Sequence, residues 1–351
     1  MSLYEDRLAH LPLRIDDYDL VRHERDVSSA FTRVSTEIVL HGAGHDGIGE
    51  DVTYEEEDQG VLQATGPVLP LAGEWTLGSF CDHLEALDLW PEPPAREPSR
   101  HYRVWAYESA ALDLALRQAG TSLHEAVERR MRPLIFVVSL RLGDPSTLEP
   151  VTKRLERYPT LRFKLDPTPD WTPEIVQGLV ATGAVDSVDF KGLYEGTVVD
   201  AGADPDLYRR VVAALPDAWI EDPRLTDEID ELLKPHRDRI TWDANIHGID
   251  DIEGLPFAPR MVNIKPSRLG PLRSLFGAYA YCEARDIGMY GGGQFELGVG
   301  RGHIQYLASL FHPDTPNDVA PGGYNDTDVV EGLPASPLPP APDATGFRWL
   351  A

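Results

Sequence analysis

A repeating pattern of short apolar runs between residues 161 and 270 constrains the fold of this chain more than any other feature. Each run carries a charged residue toward its C-terminal end, and successive charged residues are 25, 32, 22 and 22 positions apart. That spacing is about the length of one strand, one helix and two loops in a βαβ repeat. The runs occupy residues 161–165, 187–191, 218–223, 240–244 and 261–266. The pattern predicts parallel strands that alternate with helices.

The charged positions predict where a functional site lies. Strands of a parallel sheet are buried on both faces, so a charged residue within one is costly unless it faces a site or a partner. In a TIM-type barrel the C-terminal ends of the strands carry the catalytic groups. The charged residues of the five runs are Lys164, Asp189, Glu221, Asp243 and Lys265.

The rest of the chain divides around this repeat. Before it, a predicted strand hairpin over residues 35–54, a helix over 105–120 and a helix over 122–130 indicate an α+β region. The first barrel strand is predicted at 134–140, which places a domain boundary near residue 131. Further helices are predicted over residues 147–158, 173–182, 204–214, 226–234, 271–285 and 302–311, and a strand over 287–296. We therefore expect domains at 1–130 and 131–325, and a proline-rich tail at 326–351 that packs on the first domain.

Composition excludes several classes of partner. The chain has 32 basic and 58 acidic residues, a formal charge of −26, which repels nucleic acid and anionic membrane surfaces. No apolar run reaches the ~18 to 20 residues that span a bilayer. Two cysteines, Cys81 and Cys282, lie far apart and favour reduced thiols in a cytoplasmic protein. An anionic substrate would bind only where the site concentrates positive charge.

Three of the strand-end residues predict a metal site. A barrel would bring Asp189, Glu221 and Asp243 to one rim, where the like charges repel strongly in a medium of low dielectric constant. A cation is therefore expected between them, and carboxylate oxygens suit Mg²⁺.

Lys164 and Lys265 flank the three acids along the chain and are predicted to approach them from opposite sides. A lysine acts as a general base only if its pKa is lowered by burial or by nearby positive charge. Strand periodicity places Arg162 on the face of Lys164, where its permanent charge would lower the lysine pKa. The alternative is that each lysine is only a salt-bridge partner of the acidic cluster.

These motifs resemble the enolase superfamily, in particular its mandelate racemase/muconate lactonizing enzyme-like branch. The resemblance covers most of the chain and implies a (β/α)7β TIM-like barrel with an N-terminal α+β capping domain. It implies a lyase or isomerase in which Asp189, Glu221 and Asp243 bind Mg²⁺. Lys164 and Lys265 would act as base and acid on opposite faces of a metal-stabilised enediolate. The matching motifs are residues 163–164, 189, 220–223, 242–243, 263–270 and 292–300.

The sequence departs from the pattern of that branch at three places. Arg162 stands where a lysine is usual. Lys191 stands where the family has the asparagine of an Asp-x-Asn motif, and Ala244 stands where a glutamate is common. Lys191 shares a strand face with Asp189, so it would either compete with the metal or join the acid–base set. Auxiliary or substrate-binding roles are expected for Arg162, Lys191, Asn245, Gln294 and Glu296, although a simple helix N-terminal acid suits Glu296 equally.

The substrate and the reaction stay open. The expected substrate is a small carboxylate, and the reaction is racemisation or epimerisation, cycloisomerisation or dehydration. The alternative is a non-catalytic barrel that serves as a binding or structural protein. The resemblance also implies a homo-oligomer.

Overall fold

A computed structural model describes residues 3–27, 32–194 and 202–350. The N-terminal region combines antiparallel strands with helices, after a short π-helix at Tyr4–Leu8. Its strands are β1 (Pro12–Ile15), β2 (Asp17–Asp26), β3 (Thr32–Gly42), β4 (His45–Asp51) and β5 (Gly73–Thr76). Its helices are α1 (Glu56–Thr65), α2 (Leu77–Glu85), α3 (Ser99–Gln118) and α4 (Leu123–Ala126).

Strands β2, β3 and β4 form an antiparallel sheet against which helix α3 packs. The hairpin between β3 and β4, which the sequence predicts over residues 35–54, turns at Ala43 and Gly44, both with positive φ. Gly49 permits the close approach of helix and sheet, because a Cβ atom there would lie 2.0 Å from the carbonyl oxygen of Ala106.

Parallel strands form the second region, and their order follows the chain. In the described part of the chain the sheet has seven strands in the order β12-β11-β10-β9-β8-β7-β6. The strands are β6 (Val138–Leu140), β7 (Phe163–Leu165), β8 (Val185–Asp189), β9 (Trp219–Glu221), β10 (Ile240–Trp242), β11 (Met261–Ile264) and β12 (Gly288–Gly291). The helices are α5 (Glu149–Arg157), α6 (Pro173–Thr182), α7 (Pro205–Ala214), α8 (Asp227–Leu233), α9 (Ile249–Glu253), α10 (Pro266–Leu269), α11 (Leu272–Ala284) and α12 (Gly300–Phe311). A 3₁₀ helix, Lys234–Arg239, precedes β10.

The segment after α12 joins the two edges of this sheet. Asn317 bridges Phe136 beside β6, and Asp318 bridges Gly292 beside β12, both in parallel orientation. The Asn317 side chain accepts a hydrogen bond from the Gly291 amide at 2.6 Å and donates one to the Ile135 carbonyl at 3.0 Å. This segment occupies the position of an eighth strand, so the predicted (β/α)7β TIM-like barrel with an N-terminal α+β region is confirmed.

The helix boundaries follow from local start signals. Thr172 and Asp204 cap α6 and α7 by accepting hydrogen bonds from backbone amides of the first turn, and Pro173 and Pro205 occupy the first helical position. The fixed φ of proline suits that position, where no amide hydrogen is needed. These signals explain why the predicted helices agree with the observed ones within a few residues.

Four elements differ most from the prediction. Helix α3 begins at Ser99 rather than at residue 105, and strand β12 ends at Gly291 rather than at residue 296. The predicted helix over 122–130 shortens to α4, because Glu128 adopts a left-handed φ of 54° that ends the helical path. The first barrel strand is regular only from Val138, although Leu134 already makes an isolated bridge to Leu338 of the tail.

The tail packs against the N-terminal region. Gly346 bridges Ser122, and Arg348 forms an ion pair with buried Asp113 at 2.6 Å. No helix in the described ranges is long and apolar enough to cross a membrane.

Candidate active site

Three carboxylates meet at the C-terminal rim of the barrel. Asp189 and Glu221 are the last residues of β8 and β9 and are paired in register, and Asp243 directly follows β10. All three side chains are fully buried. One oxygen from each lies within 4.8 Å of the others. Because neighbouring parallel strands end at the same rim, the strand order alone brings these residues together.

The donor set fits a divalent cation. Burial raises the pKa of Glu221 well above its usual range, and the neighbouring Asp189 and Asp243 add to the rise. Within the described residues, Glu221 Oε2 is buried and accepts no hydrogen bond. Three converging carboxylate groups, one of which has an oxygen that accepts no hydrogen bond, are typical ligands of a hard cation.

Lys164, on β7, lies on the Asp189 and Glu221 side of this triad. Its ammonium donates a hydrogen bond to Glu221 Oε1 and lies 3.1 Å from Asp189 Oδ2. Asp318, in the segment that closes the barrel, is 3.6 Å away. Burial disfavours the ammonium, but the surrounding carboxylates outweigh it and raise the pKa of Lys164 well above its usual range.

Lys265 lies on the opposite side, directly after β11. Its ammonium donates to Asp243 Oδ2 at 2.7 Å, and Arg268 on α10 lies 2.6 Å from Asp243 Oδ1. Burial lowers the pKa of Lys265, and the adjacent guanidinium of Arg268 acts in the same direction. Burial opposes ionisation of Asp243, but Arg268 and Lys265 hold the pKa of that carboxyl far below its usual range.

Lys191 also enters the cluster. Its backbone amide donates to Asp189 Oδ1 at 3.0 Å, and its ammonium donates to Asp189 Oδ2. The same ammonium is 3.9 Å from Asp166 Oδ1. Burial raises the pKa of an aspartate, but Lys191 and Lys164 lower the pKa of Asp189 below its usual range.

Arg162 does not take the position predicted for it. Its guanidinium donates to Asp186 Oδ1 at 2.8 Å and to the Gly183 carbonyl, and its side chain is 40% exposed. Arg162 precedes β7, and the register shift beside it lies in β8, where Asp186 is skipped between Val185 and Ser187. The Arg162 guanidinium pairs with this skipped residue, and the pKa of Lys164 is raised, so the prediction that Arg162 lowers the pKa of Lys164 is wrong.

Gln294 and Glu296 organise the glycine-rich turn after β12. Gln294 accepts a hydrogen bond from the Tyr54 hydroxyl at 2.7 Å and donates one to the Tyr102 hydroxyl at 3.2 Å. Both tyrosines belong to the N-terminal region. Glu296 accepts from the Gln294 amide and forms an ion pair with Arg301 at 3.0 Å. Gln294 therefore connects the barrel to the N-terminal region.

Asn245 lies in the loop that follows Asp243. Its Oδ1 atom is buried and, in the part of the chain that the structure describes, accepts no hydrogen bond. A buried acceptor without a partner is rare, so this loop position is available to a ligand.

Four further polar residues of the rim were missed by sequence reasoning. Asp222 accepts hydrogen bonds from the backbone amides of Asp243 and Ala244 at 2.8 and 2.9 Å, and burial raises its pKa to about 7. The acidic pair in the Ile-Glu-Asp-Pro run was a usable signal for it. The other three are Asp166, Arg268 and Asp318. Asp318 lies in the short segment that closes the barrel, where the sequence shows no repeat and no apolar run.

Comparison with known proteins agrees with this architecture. The curated relatives include the o-succinylbenzoate synthase of Bacillus subtilis, 27% identical over 68% of this chain and 65% of that enzyme, which is just under two thirds of its length. They also include the N-succinylamino acid racemase of Thermus thermophilus, 27% identical over 98% of this chain and 92% of that protein. Among solved structures, the dipeptide epimerase from Methylococcus capsulatus, complexed with a Mg ion, superposes with a TM-score of 0.67. The two chains are 22% identical, and the superposition covers 91% of this chain and 93% of the epimerase chain.

The barrel fold of this chain is the fold of solved structures described as members of the enolase superfamily. The chain itself belongs to the family described as Domain of unknown function (DUF8230). The C-terminal domain of that family matches residues 130–326, and its N-terminal domain matches residues 6–126.

Proposed function

We propose that the protein is a Mg²⁺-dependent lyase or isomerase that abstracts the proton α to a substrate carboxylate. One observation carries the proposal: two buried lysine ammonium groups contact the same acidic triad from its two ends. The relatives named above include an o-succinylbenzoate synthase and an N-succinylamino acid racemase, which supports the proposal of a lyase or isomerase.

Asp189, Glu221 and Asp243 would hold the metal ion. Magnesium, when bound, supplies positive charge that stabilises negative charge developing on the substrate carboxylate. The metal ion would offset the acids that now pair with Lys164, Lys191, Lys265 and Arg268, and these cations could then attract an anionic substrate to the rim despite the overall charge of −26.

The two lysines would move the proton. Lys164 is delivered by β7 and Lys265 follows β11, with the three acid-bearing strands between them in the sheet. A substrate bound over the triad therefore presents one face of its α-carbon to each ammonium. A metal ion on the three carboxylates would offset the negative charge that raises the pKa of Lys164, so either lysine could take the proton from its own face. The other lysine would then return a proton to the opposite face or stabilise the charge by contact.

Racemisation of an N-acylated amino acid is the reaction that we place first. The relative aligned over nearly the full length of both chains is an N-succinylamino acid racemase. Two lysines suit the interconversion of enantiomers, because each can handle one configuration. Dehydration, the second candidate, needs only one base, with the other lysine as a spectator cation.

Proton exchange in D₂O tests the proposal. N-succinyl derivatives of both enantiomers of several amino acids are incubated with Mg²⁺, and loss of the α-proton is followed by NMR. We expect exchange with the native chain. The Lys164→Ala variant should lose exchange from one enantiomer and Lys265→Ala from the other. Exchange that persists in both variants, or that is absent from every N-acylamino acid, dipeptide and acid sugar tried, contradicts it and favours a non-catalytic binding barrel.

A further inference from the structure

Lys191 contacts Asp189, which is one of the three carboxylates that would bind the metal ion. Both oxygens of Asp189 are in use: Oδ1 accepts the Lys191 amide at 3.0 Å, and Oδ2 is contacted by the Lys191 ammonium and, at 3.1 Å, by the Lys164 ammonium. A divalent ion bound by Asp189 would meet this second ammonium directly. Two cations on one carboxylate oxygen repel each other, so ion binding and the present Lys191 contact oppose each other.

A second carboxylate is within reach of Lys191. Asp166 follows β7 by one residue, and its Oδ1 atom is buried without a hydrogen bond in the described residues. That atom is 3.9 Å from the Lys191 ammonium, while Oδ2 is held by Arg141 at 3.1 Å. A buried carboxylate oxygen that accepts no hydrogen bond is costly. Asp166 would therefore be stabilised by an ammonium displaced from Asp189.

The backbone conformation and low exposure of Lys191 keep it beside these two carboxylates, and its ammonium also lies 5.3 Å from the centre of the Tyr194 ring. The Lys191 φ of 52° lies in the left-handed region, which a residue with a Cβ atom occupies at a cost. The next residue, Gly192, donates its amide to the Asp222 carbonyl at 2.8 Å, which fixes the chain on the side of the acidic rim. The side chain is only 17% exposed, so its ammonium reaches Asp189 or Asp166 by a short rotation rather than by a path through solvent.

The geometry points to Lys191 as an internal cation that neutralises Asp189 in the empty site and moves to Asp166 when a divalent ion binds. Lys191 thereby sets the metal affinity of this chain, at the position where its sequence departs from the Asp-x-Asn pattern. The inference rests on the proposed function only in that the triad holds a metal ion.

Metal titration of the full chain with Mn²⁺, read by the EPR signal of the free ion, tests the inference without an activity assay. Asparagine tolerates the left-handed region and carries no charge, so Lys191→Asn should bind Mn²⁺ about tenfold more tightly than the native chain. The matched control is Lys234→Asn, which makes the same charge change at an exposed lysine before the N-terminal end of β10 and should leave affinity unchanged.

The role of Asp166 is tested by a double-mutant cycle. Asp166→Asn should weaken Mn²⁺ binding in the native background and have little effect in the Lys191→Asn background, because the displaced ammonium is then absent. Unchanged or weaker binding by Lys191→Asn overturns the inference. An equal effect of Asp166→Asn in both backgrounds overturns the transfer to Asp166. Absence of binding by all variants overturns the proposed metal site as well, so the two failures are distinguishable.

Discussion

Lys164 and Lys265 contact different carboxylates of one buried triad. The ammonium of Lys164 lies 3.1 Å from Asp189 Oδ2, and that of Lys265 lies 2.7 Å from Asp243 Oδ2. With no metal ion present, the lysines therefore neutralise the acids that would bind it. The two ammonium groups thus supply the positive charge that a bound metal ion would supply.

Removal of either lysine should destabilise the chain when metal is absent. Lys164→Met leaves Glu221 without its ammonium partner, and Lys265→Met leaves Asp243 with Arg268 alone; the loss of such a buried ion pair costs about 3 kcal/mol of unfolding free energy. Urea unfolding in EDTA measures this loss. Addition of Mg²⁺ should restore more stability to these variants than to the native chain, because the ion replaces the missing positive charge. A variant as stable as the native chain in EDTA contradicts the buried contact.

Glu50 should hold the N-terminal region to the barrel. Its buried carboxylate, on β4, accepts hydrogen bonds from the Leu297, Gly298 and Gly300 amides at 2.7, 3.0 and 2.9 Å and from the Ser35 hydroxyl at 2.6 Å. Glu50→Ala leaves amides before and within the first turn of α12 unsatisfied and should cost about 3 kcal/mol in urea unfolding.

The control for Glu50 is Ser35→Ala, which removes one of the same hydrogen bonds and should cost about 1 kcal/mol. Hydrogen exchange at residues 297–300 should accelerate in Glu50→Ala and change little in Ser35→Ala. Equal losses of stability in the two variants would argue against the special role of the carboxylate.

Glu108 should make stability depend on pH. It is buried on α3, accepts the Leu272 amide at 2.6 Å, and burial raises its pKa to about 7. Because the folded chain keeps this proton while the unfolded chain releases it near pH 4.5, stability should fall as pH rises from 4.5 to 7. The difference of about 2.5 pKa units corresponds to about 3 kcal/mol.

Glu108→Gln removes this titration. Unfolding free energies are measured from pH 4.5 to 8 for the native chain, for Glu108→Gln and for Glu97→Gln, which alters an exposed glutamate just before the same helix. The native-minus-variant difference should change with pH for Glu108→Gln and stay constant for Glu97→Gln. A constant difference in both would show that Glu108 is already ionised in the folded chain.

Most of the barrel could be predicted from the sequence, for identifiable reasons. Parallel strands buried on both faces have continuous apolar runs, and the charged residue that ends each run marks the rim, as at Asp189 and Asp243. Helices α6 and α7 follow capping residues and proline. These signals depend on residues that are close in sequence, so one sequence is enough to recognise them.

The features that were missed depend on contacts distant in sequence or on backbone irregularity. The eighth position of the barrel is filled by Asn317 and Asp318, two residues that carry no periodicity and pair with both sheet edges only in the fold. Arg162 lies before the start of β7 and pairs with Asp186, the β8 residue that the register shift skips. The contact of Lys191 with Asp166 joins two loops that the sequence separates by 25 positions.

Calorimetric titration of Mg²⁺ into the native chain and into Asp189→Asn, Glu221→Gln and Asp243→Asn measures whether the three carboxylates form a metal site. We expect one site in the native chain and a loss of affinity of about 100-fold or more in each variant, because each carboxylate would be a ligand. Native-like Mg²⁺ affinity in all three variants, or no binding by the native chain, would contradict the proposed metal site.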